Sequence, residues 1–93
     1  MRIYISGPMT DYENLNFPAF YKAEEKIKDG GHIPLNPASA PAGLEYQHYM
    51  DIAFAMIRSS NAILMLEGWQ RSKGATAEAA YAKATGVTFV DFK

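Results

Sequence analysis

The segment Ser72-Lys73-Gly74-Ala75-Thr76-Ala77-Glu78 combines the residue types of an anion site with a carboxylate one helical turn further on. Ser72 is a good helix N-cap, and Gly74 lets a ligand approach the backbone closely. The free N–H groups of a first helical turn, together with the helix dipole, attract anions. The segment therefore predicts a helix that begins at Ser72 and holds an anionic group at its N-terminus.

Glu78 shares one face of this predicted helix with Gly74, Tyr81 and Ala82. Much of the helix is alanine, and such small residues allow a helix to sit close to a sheet or to another helix. A carboxylate on that face would be rigid and partly desolvated, as a nucleophile or a base requires. The alternative is a solvated surface glutamate, which is common on helices.

Four short apolar runs and three helical patterns surround this segment. The predicted strands are 3–6, 32–36, 61–66 and 87–90, and the predicted helices are 16–30, 46–60 and 72–85. Asn16 is the predicted N-cap of the first helix, and Pro34 makes the second strand an edge strand. Such alternation is typical of a parallel sheet with helices on both faces. We therefore predict one α/β domain over residues 1–93, a three-layer Rossmann- or flavodoxin-like fold with four parallel strands, or five.

Ligands bind such sheets beyond the carboxyl ends of the strands, at the topological switch point. In this chain those ends are residues 6–9, 36–44 and 66–74, and the second is a long loop rich in proline, alanine and glycine. The predicted ligand site therefore lies at the same edge of the sheet as the start of the last helix.

The composition excludes several functional classes. The net charge is −1 with no long run of either sign, which disfavours nucleic acid or an anionic membrane as the main partner. There are no cysteines, no apolar stretch of membrane-spanning length and no signal-peptide pattern, so we expect a cytoplasmic protein. The chain lacks GxGxxG and Walker patterns, and His32 and His48 lack metal-ligand spacing. We expect neither a metal nor another cofactor.

Three segments, in this order and spacing, resemble the nucleoside 2-deoxyribosyltransferase-like superfamily. They are Tyr4-Ile5-Ser6-Gly7-Pro8-Met9, then Asp51 early in a helix, then Gly74-Ala75-Thr76-Ala77-Glu78. Within the superfamily the chain most resembles the small, often phage-encoded group called DUF4406, over nearly its whole length.

The resemblance implies a role for each matching residue. Glu78 matches the nucleophile that attacks C1′ of the sugar, Asp51 a carboxylate near the base, and Tyr4 a tyrosine beside the nucleophile. Alternatively, Asp51 is a carboxylate on the solvent-exposed polar face of its helix, and Tyr4 is an aromatic side chain of the core. The candidate substrate-binding residues are Ser6, Gly7, Pro8, Met9, Ser72, Gly74 and Trp69. Trp69 stands in a loop at the active end, where it would stack on a base or else cap the core.

The serine at position 72 indicates whether the substrate has a 5′-phosphate. The transferases usually have an aspartate at this position, whereas the related nucleoside 5′-monophosphate N-glycosidases have a serine. An aspartate at a helix N-terminus would repel a phosphate, and a serine adds a donor instead. Arg71 and Lys73 would add positive charge, or they are ordinary solvated residues.

The leading hypothesis is therefore hydrolysis of the N-glycosidic bond of a nucleoside 5′-monophosphate or nucleoside. The alternatives are a nucleoside 2-deoxyribosyltransferase, a non-catalytic module that binds a nucleotide, and a purely structural subunit. Some relatives have a C-terminal extension, and because this chain ends at Phe92-Lys93 we expect transfer to be less efficient. Met50 and Phe54 extend the apolar surface of their helix beyond one stripe, which favours a homodimer or higher homo-oligomer.

Overall fold

Strands and helices alternate along the chain. The structure, a computed structural model, describes residues 1–91, so the predicted chain end at Phe92 and Lys93 lies outside the described residues. The strands are β1 (Arg2–Ser6), β2 (Ile33–Leu35), β3 (Ala62–Met65) and β4 (Thr88–Val90). The helices are α1 (Phe17–Asp29), α2 (Tyr46–Arg58) and α3 (Lys73–Ala84). The predicted order of strands and helices is confirmed.

The strands form one sheet in the order β2-β1-β3-β4, with each neighbouring pair parallel. This confirms the predicted parallel sheet, with four strands among the described residues. β2 lies at one edge, as Pro34 predicts, because proline cannot donate a ladder hydrogen bond. The carboxyl ends of β1 and β3 lie side by side, with Ser6 opposite Met65.

Successive side chains of β1 point to opposite faces of the sheet. Ile3 and Ile5 pack with α1, in a core cluster completed by Phe20, Ala23, Ile27, Ala38, Ala62 and Leu64. Tyr4 packs on the other face, in a second cluster with Ala53, Ile57, Ile63 and Ala82 of α2, β3 and α3. α1 therefore covers one face, whereas α2 and α3 share the other. No helix described within residues 1–91 is both long and apolar enough to cross a membrane.

The loop between β1 and α1 has an uncommon backbone. Asp11 has φ 67°, and the three consecutive residues Asn14, Leu15 and Asn16 have φ between 52° and 61°. Left-handed backbone costs energy for residues other than glycine, and runs of it are rare. This loop follows β1 at the carboxyl edge of the sheet, beside the predicted site.

The prediction that Asn16 is the N-cap of α1 is confirmed in position, but its side chain makes no capping hydrogen bond. The φ of Asn16 is 61°, which is left-handed. A capping side chain normally requires extended backbone at that residue. The Asn16 side chain instead donates from Nδ2 to the carbonyl oxygen of Pro8, 2.9 Å away. The residue thus ties the start of α1 to the start of the loop that follows β1.

The apolar surface of α2 is used within the chain. Phe54 stacks on Tyr81 of α3, with ring centroids 4.4 Å apart and planes 14° from parallel. A Cβ atom at Gly74 would lie 3.9 Å from Sδ of Met50, so Met50 also lies against α3. Met50 and Phe54 are thus partly buried against α3 of the same chain, so their apolar character does not require a subunit interface, and the homo-oligomer stays a prediction.

Candidate active site

Two hydroxyl groups of β1 converge on the carboxylate of Glu78. Tyr4 Oη donates to Oε1 of Glu78 at 2.9 Å, and Ser6 Oγ donates to the same oxygen at 2.7 Å. Tyr4 and Ser6 are two residues apart on a strand, so both face the helices α2 and α3. Both side chains are fully buried, whereas Glu78 is half-buried. The predicted partial desolvation of Glu78 is confirmed.

Burial and hydrogen bonding act on Glu78 in opposite directions. Burial raises the pKa of the Glu78 carboxyl above its ordinary value, while the hydrogen bonds from Ser6 and Tyr4 lower it in part. Burial also raises the pKa of the Tyr4 phenol well above its ordinary value, and the charge and hydrogen bond of Glu78 raise it further. Tyr4 therefore remains protonated and acts as a donor, and its ring at the same time belongs to the core.

The N-terminus of α3 forms as the sequence predicts. Ser72 is the N-cap, and its Oγ accepts a hydrogen bond from the amide of Ala75 at 3.1 Å. The amides of Lys73 and Gly74, in the first turn, have no helical acceptor. Because the Ser72 oxygen accepts from Ala75, the hydroxyl hydrogen is left to donate elsewhere.

A cleft of about 640 Å³ opens beside this N-terminus. It lies between the loop after β1, the loop after β3 and the starts of α2 and α3. Its lining residues are Pro8, Thr10, Asp11, Tyr12, Tyr46, Gly68, Arg71, Ser72, Lys73 and Gly74. Glu78 is not among them, but Gly74 lies one turn before it on the same helix face. The cleft therefore opens at the N-terminus of α3, one helical turn before Glu78.

The residues that follow β1 have different surroundings. A Cβ atom at Gly7 would lie 2.7 Å from Cβ of Leu66, so the close approach of the two loops requires glycine there. Pro8 is buried and lines the cleft, whereas Met9 packs against the core cluster under α1. Trp69 is half-buried and is not among the described residues that line the cleft.

Asp51 lies on α2 and is exposed. It follows Met50, which faces Gly74, but the structure shows no hydrogen bond or ion pair of Asp51 with any residue between 1 and 91. The structure thus brings together Tyr4, Ser6 and Glu78, and it leaves Asp51 at the surface of a neighbouring helix.

Several residues that line the cleft were not predicted from the sequence, among them Tyr12, Tyr46 and Gly68. Tyr12 and Tyr46 are exposed aromatic side chains, and Nζ of Lys73 lies 5.8 Å from the Tyr46 ring centroid. A Cβ atom at Gly68, where φ is 86°, would lie 2.7 Å from Oη of Tyr12. The signal available in the sequence was Gly68, two residues after the predicted strand 61–66, because a glycine in such a loop can mark the close approach of another group.

The described part of the chain contains no group of three or more His, Cys, Asp or Glu side chains that could hold a metal ion. His32 contacts the N-terminal amine through Nδ1 at 2.9 Å, and Nδ1 of His48 lies 3.3 Å from the amide of Glu45. Asn61 accepts a hydrogen bond from the amide of Arg2 at 2.8 Å, which joins the residue before β3 to the start of β1.

Comparisons with known proteins agree with this architecture. A 2-deoxyribosyltransferase from Leishmania mexicana has a TM-score of 0.76 and 22% identity, over 98% of this chain and 63% of that chain. The chain thus spans less than two thirds of that protein. A 2-deoxyribosyltransferase from Bacillus psychrosaccharolyticus has a TM-score of 0.76 and 16% identity, over 99% of this chain and 72% of that chain. At these identities the likeness establishes the fold. The search of curated proteins finds no match.

The family comparison covers the sequence that carries the site. The model of the family described as "Domain of unknown function (DUF4406)" matches residues 1–91, which include Tyr4, Ser6 and Glu78. The predicted resemblance is confirmed. The chain belongs to the DUF4406 family and shares its fold with these two 2-deoxyribosyltransferases.

Proposed function

We propose that the protein breaks the N-glycosidic bond of a nucleoside and transfers the sugar, with Glu78 as the nucleophile. The observation that supports the proposal is the hydrogen bonding of the two oxygen atoms of the Glu78 carboxylate. Tyr4 and Ser6 both donate to Oε1, and Oε2 has no hydrogen-bond partner among residues 1–91. A half-buried carboxylate with one oxygen held and the other free is suited to covalent catalysis.

The reaction would proceed in two displacements at C1′. Oε2 of Glu78 bonds to C1′ as the bond from C1′ to the base breaks, and the electron pair leaves with the base. The base takes up a proton, for which Asp51 or a water molecule is the source. A second base or a water molecule then attacks C1′, loses its own proton, and releases Glu78 as a carboxylate. Two displacements retain the configuration at C1′.

The comparisons favour transfer over the hydrolysis that the sequence alone favoured. The two solved structures compared above are both described as 2-deoxyribosyltransferases. The acceptor in the second displacement would then be another base, with a 2-deoxyribonucleoside as the donor.

Hydrolysis of a nucleoside 5′-monophosphate is the second candidate, and the start of α3 favours it. Ser72 provides a hydroxyl hydrogen, and the adjacent amides of Lys73 and Gly74 lack helical acceptors. Arg71 and Lys73 both line the same cleft. These groups would suit the phosphate of a monophosphate, with its sugar directed toward Glu78.

A base-release assay tests both candidates. The protein is incubated with ribo- and 2-deoxyribonucleosides and their 5′-monophosphates, with and without a second free base, and the products are separated by chromatography. Release that requires the second base indicates transfer, and release without it indicates hydrolysis. We expect Glu78→Ala to lower turnover by about three orders of magnitude or more, because it removes the nucleophile.

Glu67→Gln is the matched control, because Glu67 is an exposed glutamate at the same edge of the sheet and has no contact with Tyr4 or Ser6. It should leave turnover unchanged. Absence of release from every substrate, with a melting temperature still raised by a monophosphate, would reject catalysis and support the non-catalytic binding module. Absence of both release and stabilisation would leave the structural subunit.

A further inference from the structure

The hydroxyl of Ser6 has a single side-chain contact. Ser6 is 0% exposed, and among residues 1–91 its Oγ is hydrogen-bonded to Glu78 Oε1 at 2.7 Å. Its backbone carbonyl is already used, because it accepts from the amide of Leu66 at 2.7 Å. A buried polar side chain of this kind costs free energy unless its partner compensates. The hydroxyl of Ser6 therefore donates to the carboxylate of Glu78, and because it is buried it is not accessible to a ligand.

The strand register explains why this hydroxyl reaches the carboxylate. Tyr4 and Ser6 lie opposite Ile63 and Met65 of β3, on the face that α3 covers. The long phenol of Tyr4 reaches Glu78 from the position opposite Ile63, and the short hydroxyl of Ser6 reaches it from the position opposite Met65. Both bonds end on Oε1, so they also fix the rotation of the carboxylate about its last side-chain bond.

Tyr4 is the titratable group hydrogen-bonded to Glu78. On α3 the next titratable residue of the same face is Tyr81, whose ring stacks on Phe54 of α2. Within the described residues, no charged side chain of α2 or of the sheet forms an ion pair or hydrogen bond with Glu78. The two hydroxyl groups are thus the local support for the charge of a partly desolvated carboxylate.

We propose that Ser6 is a positioning residue, which holds Oε1 of Glu78 and favours the charged form of the carboxylate, so that Oε2 is the reacting oxygen. This changes the role of Ser6 from the expected contact with substrate to a contact with the nucleophile. The catalytic role of Ser6 rests on the proposed function, whereas its effect on the ionisation of the Glu78 carboxylate does not. When Oε2 is bonded to C1′, Oε1 becomes an ester carbonyl, and the same two hydroxyls would stabilise the carboxylate as it leaves.

The test is the titration of Glu78 in protein labelled with ¹³C at the glutamate side-chain carboxyl carbon. Glu78→Gln assigns its resonance, and the wild type is compared with Ser6→Ala and Ser6→Cys. We expect a higher pKa for Glu78 in Ser6→Ala, because a hydrogen bond to the charged form is lost. Ser6→Cys, which retains the shape with a weaker donor, should fall between the two. If Ser6→Ala does not fold, the comparison of Ser6→Cys with wild type carries the test.

Ser60→Ala is the matched control. Ser60 is also buried, and its hydroxyl donates to the carbonyl of Met56 rather than to the site. An unchanged Glu78 pKa in both Ser6 variants, or an equal rise in Ser60→Ala, would overturn the proposal.

The activity profile provides a second measurement. If the wild type releases base, the acid limb of kcat/KM against pH should move to higher pH in Ser6→Ala, with kcat about tenfold lower and KM little changed. A raised KM with an unmoved acid limb would instead show that Ser6 contacts substrate. If the wild type releases no base, the proposed function fails, and the titration still decides the role of Ser6.

Discussion

The charged form of the Glu78 carboxylate lowers the free energy of unfolding, because the group is partly buried. Burial raises its pKa, and the donors Ser6 and Tyr4 recover part of that free energy through hydrogen bonds. Between the ordinary pKa and the raised pKa, the folded protein binds more protons at this residue than the unfolded chain does. The contribution of Glu78 to stability therefore falls as the pH rises through that window.

Glu78→Gln should consequently stabilise the protein at neutral pH. The amide carries no charge to desolvate, and its oxygen still accepts from Tyr4 and Ser6. We expect the melting temperature to rise by a few degrees at pH 7, and the gain to shrink as the pH falls below the ordinary pKa of a glutamate, where both states of the wild type are protonated. Thermal unfolding at several pH values measures this.

Glu67→Gln again provides the control, since Glu67 is exposed. Its melting temperature should follow that of the wild type at every pH. A gain for Glu78→Gln of equal size in acid and at neutral pH would show that packing, and not the charge, limits stability at this residue.

At the scale of the element, the start of α3 has a glycine that the chain itself does not require. A Cβ atom at Gly74 would meet Oη of Tyr46 at 3.8 Å, which is ordinary contact. Gly74 has no left-handed φ, in contrast to Gly68 with φ 86°. The protein therefore tolerates alanine here, and the absence of a side chain serves the cleft rather than the fold.

Gly74→Ala should raise the stability by a few tenths to about 1 kcal/mol, because alanine loses less backbone entropy in a helix. The same methyl group would crowd the cleft and block the first-turn amides, so binding of a nucleoside 5′-monophosphate should weaken. Urea unfolding measures the first effect and calorimetric titration the second.

The reverse substitution Ala80→Gly, on the exposed side of α3, is the control. It should lower the stability by up to about 1 kcal/mol and leave ligand affinity unchanged. If Gly74→Ala binds the monophosphate as well as the wild type, the α3 N-terminus is not the ligand site.

The elements themselves could be predicted from the sequence, because their signals are local. β-branched runs, Pro34 at a sheet edge, and Ser72 as an N-cap all depend on residues within one turn or one strand. The convergence of Tyr4 and Ser6 on a single oxygen could not be predicted, because it depends on the register of β1 and on how α3 crosses it. The sequence placed Tyr4 near Glu78 only through the family resemblance.

Two further features depend on contacts that sequence patterns do not encode. The left-handed turn at residues 14–16 contains no glycine, and although asparagine tolerates positive φ, its presence at two of the three positions does not by itself predict such a turn. The apolar excess of α2 was interpreted as a subunit interface, but the partner of Phe54 is Tyr81 of the same chain. An apolar helix face in the sequence indicates that the surface is buried, but it does not identify the element or chain that covers it.

At the scale of the whole molecule, the two faces of the sheet are covered unequally. α1 alone covers one face, and beside it lies a groove of about 620 Å³, partly lined by Lys22 and Lys26 of α1 and by Leu64 and Leu66. Exposed apolar side chains include Ile33, which is 62% exposed. A chain of 93 residues buries a modest share of its surface, so association would bury more.

The expected homo-oligomer therefore stays a prediction, now without the support of Met50 and Phe54. Sedimentation velocity should show a species of at least twice the chain mass of 10.3 kDa. A single species of the chain mass over the whole range of accessible concentrations would reject it.

The residues that hold the carboxylate lie far from it along the polypeptide. Tyr4 and Ser6 precede Glu78 by 74 and 72 residues, and the strand that carries them lies in the interior of the sheet. During synthesis on the ribosome, β1 emerges early and must wait for β3 and α3 before its hydroxyls find their acceptor. A nascent or clipped chain without α3 lacks Glu78 itself, so the activity that we propose would appear only after α3 has packed on β1 and β3.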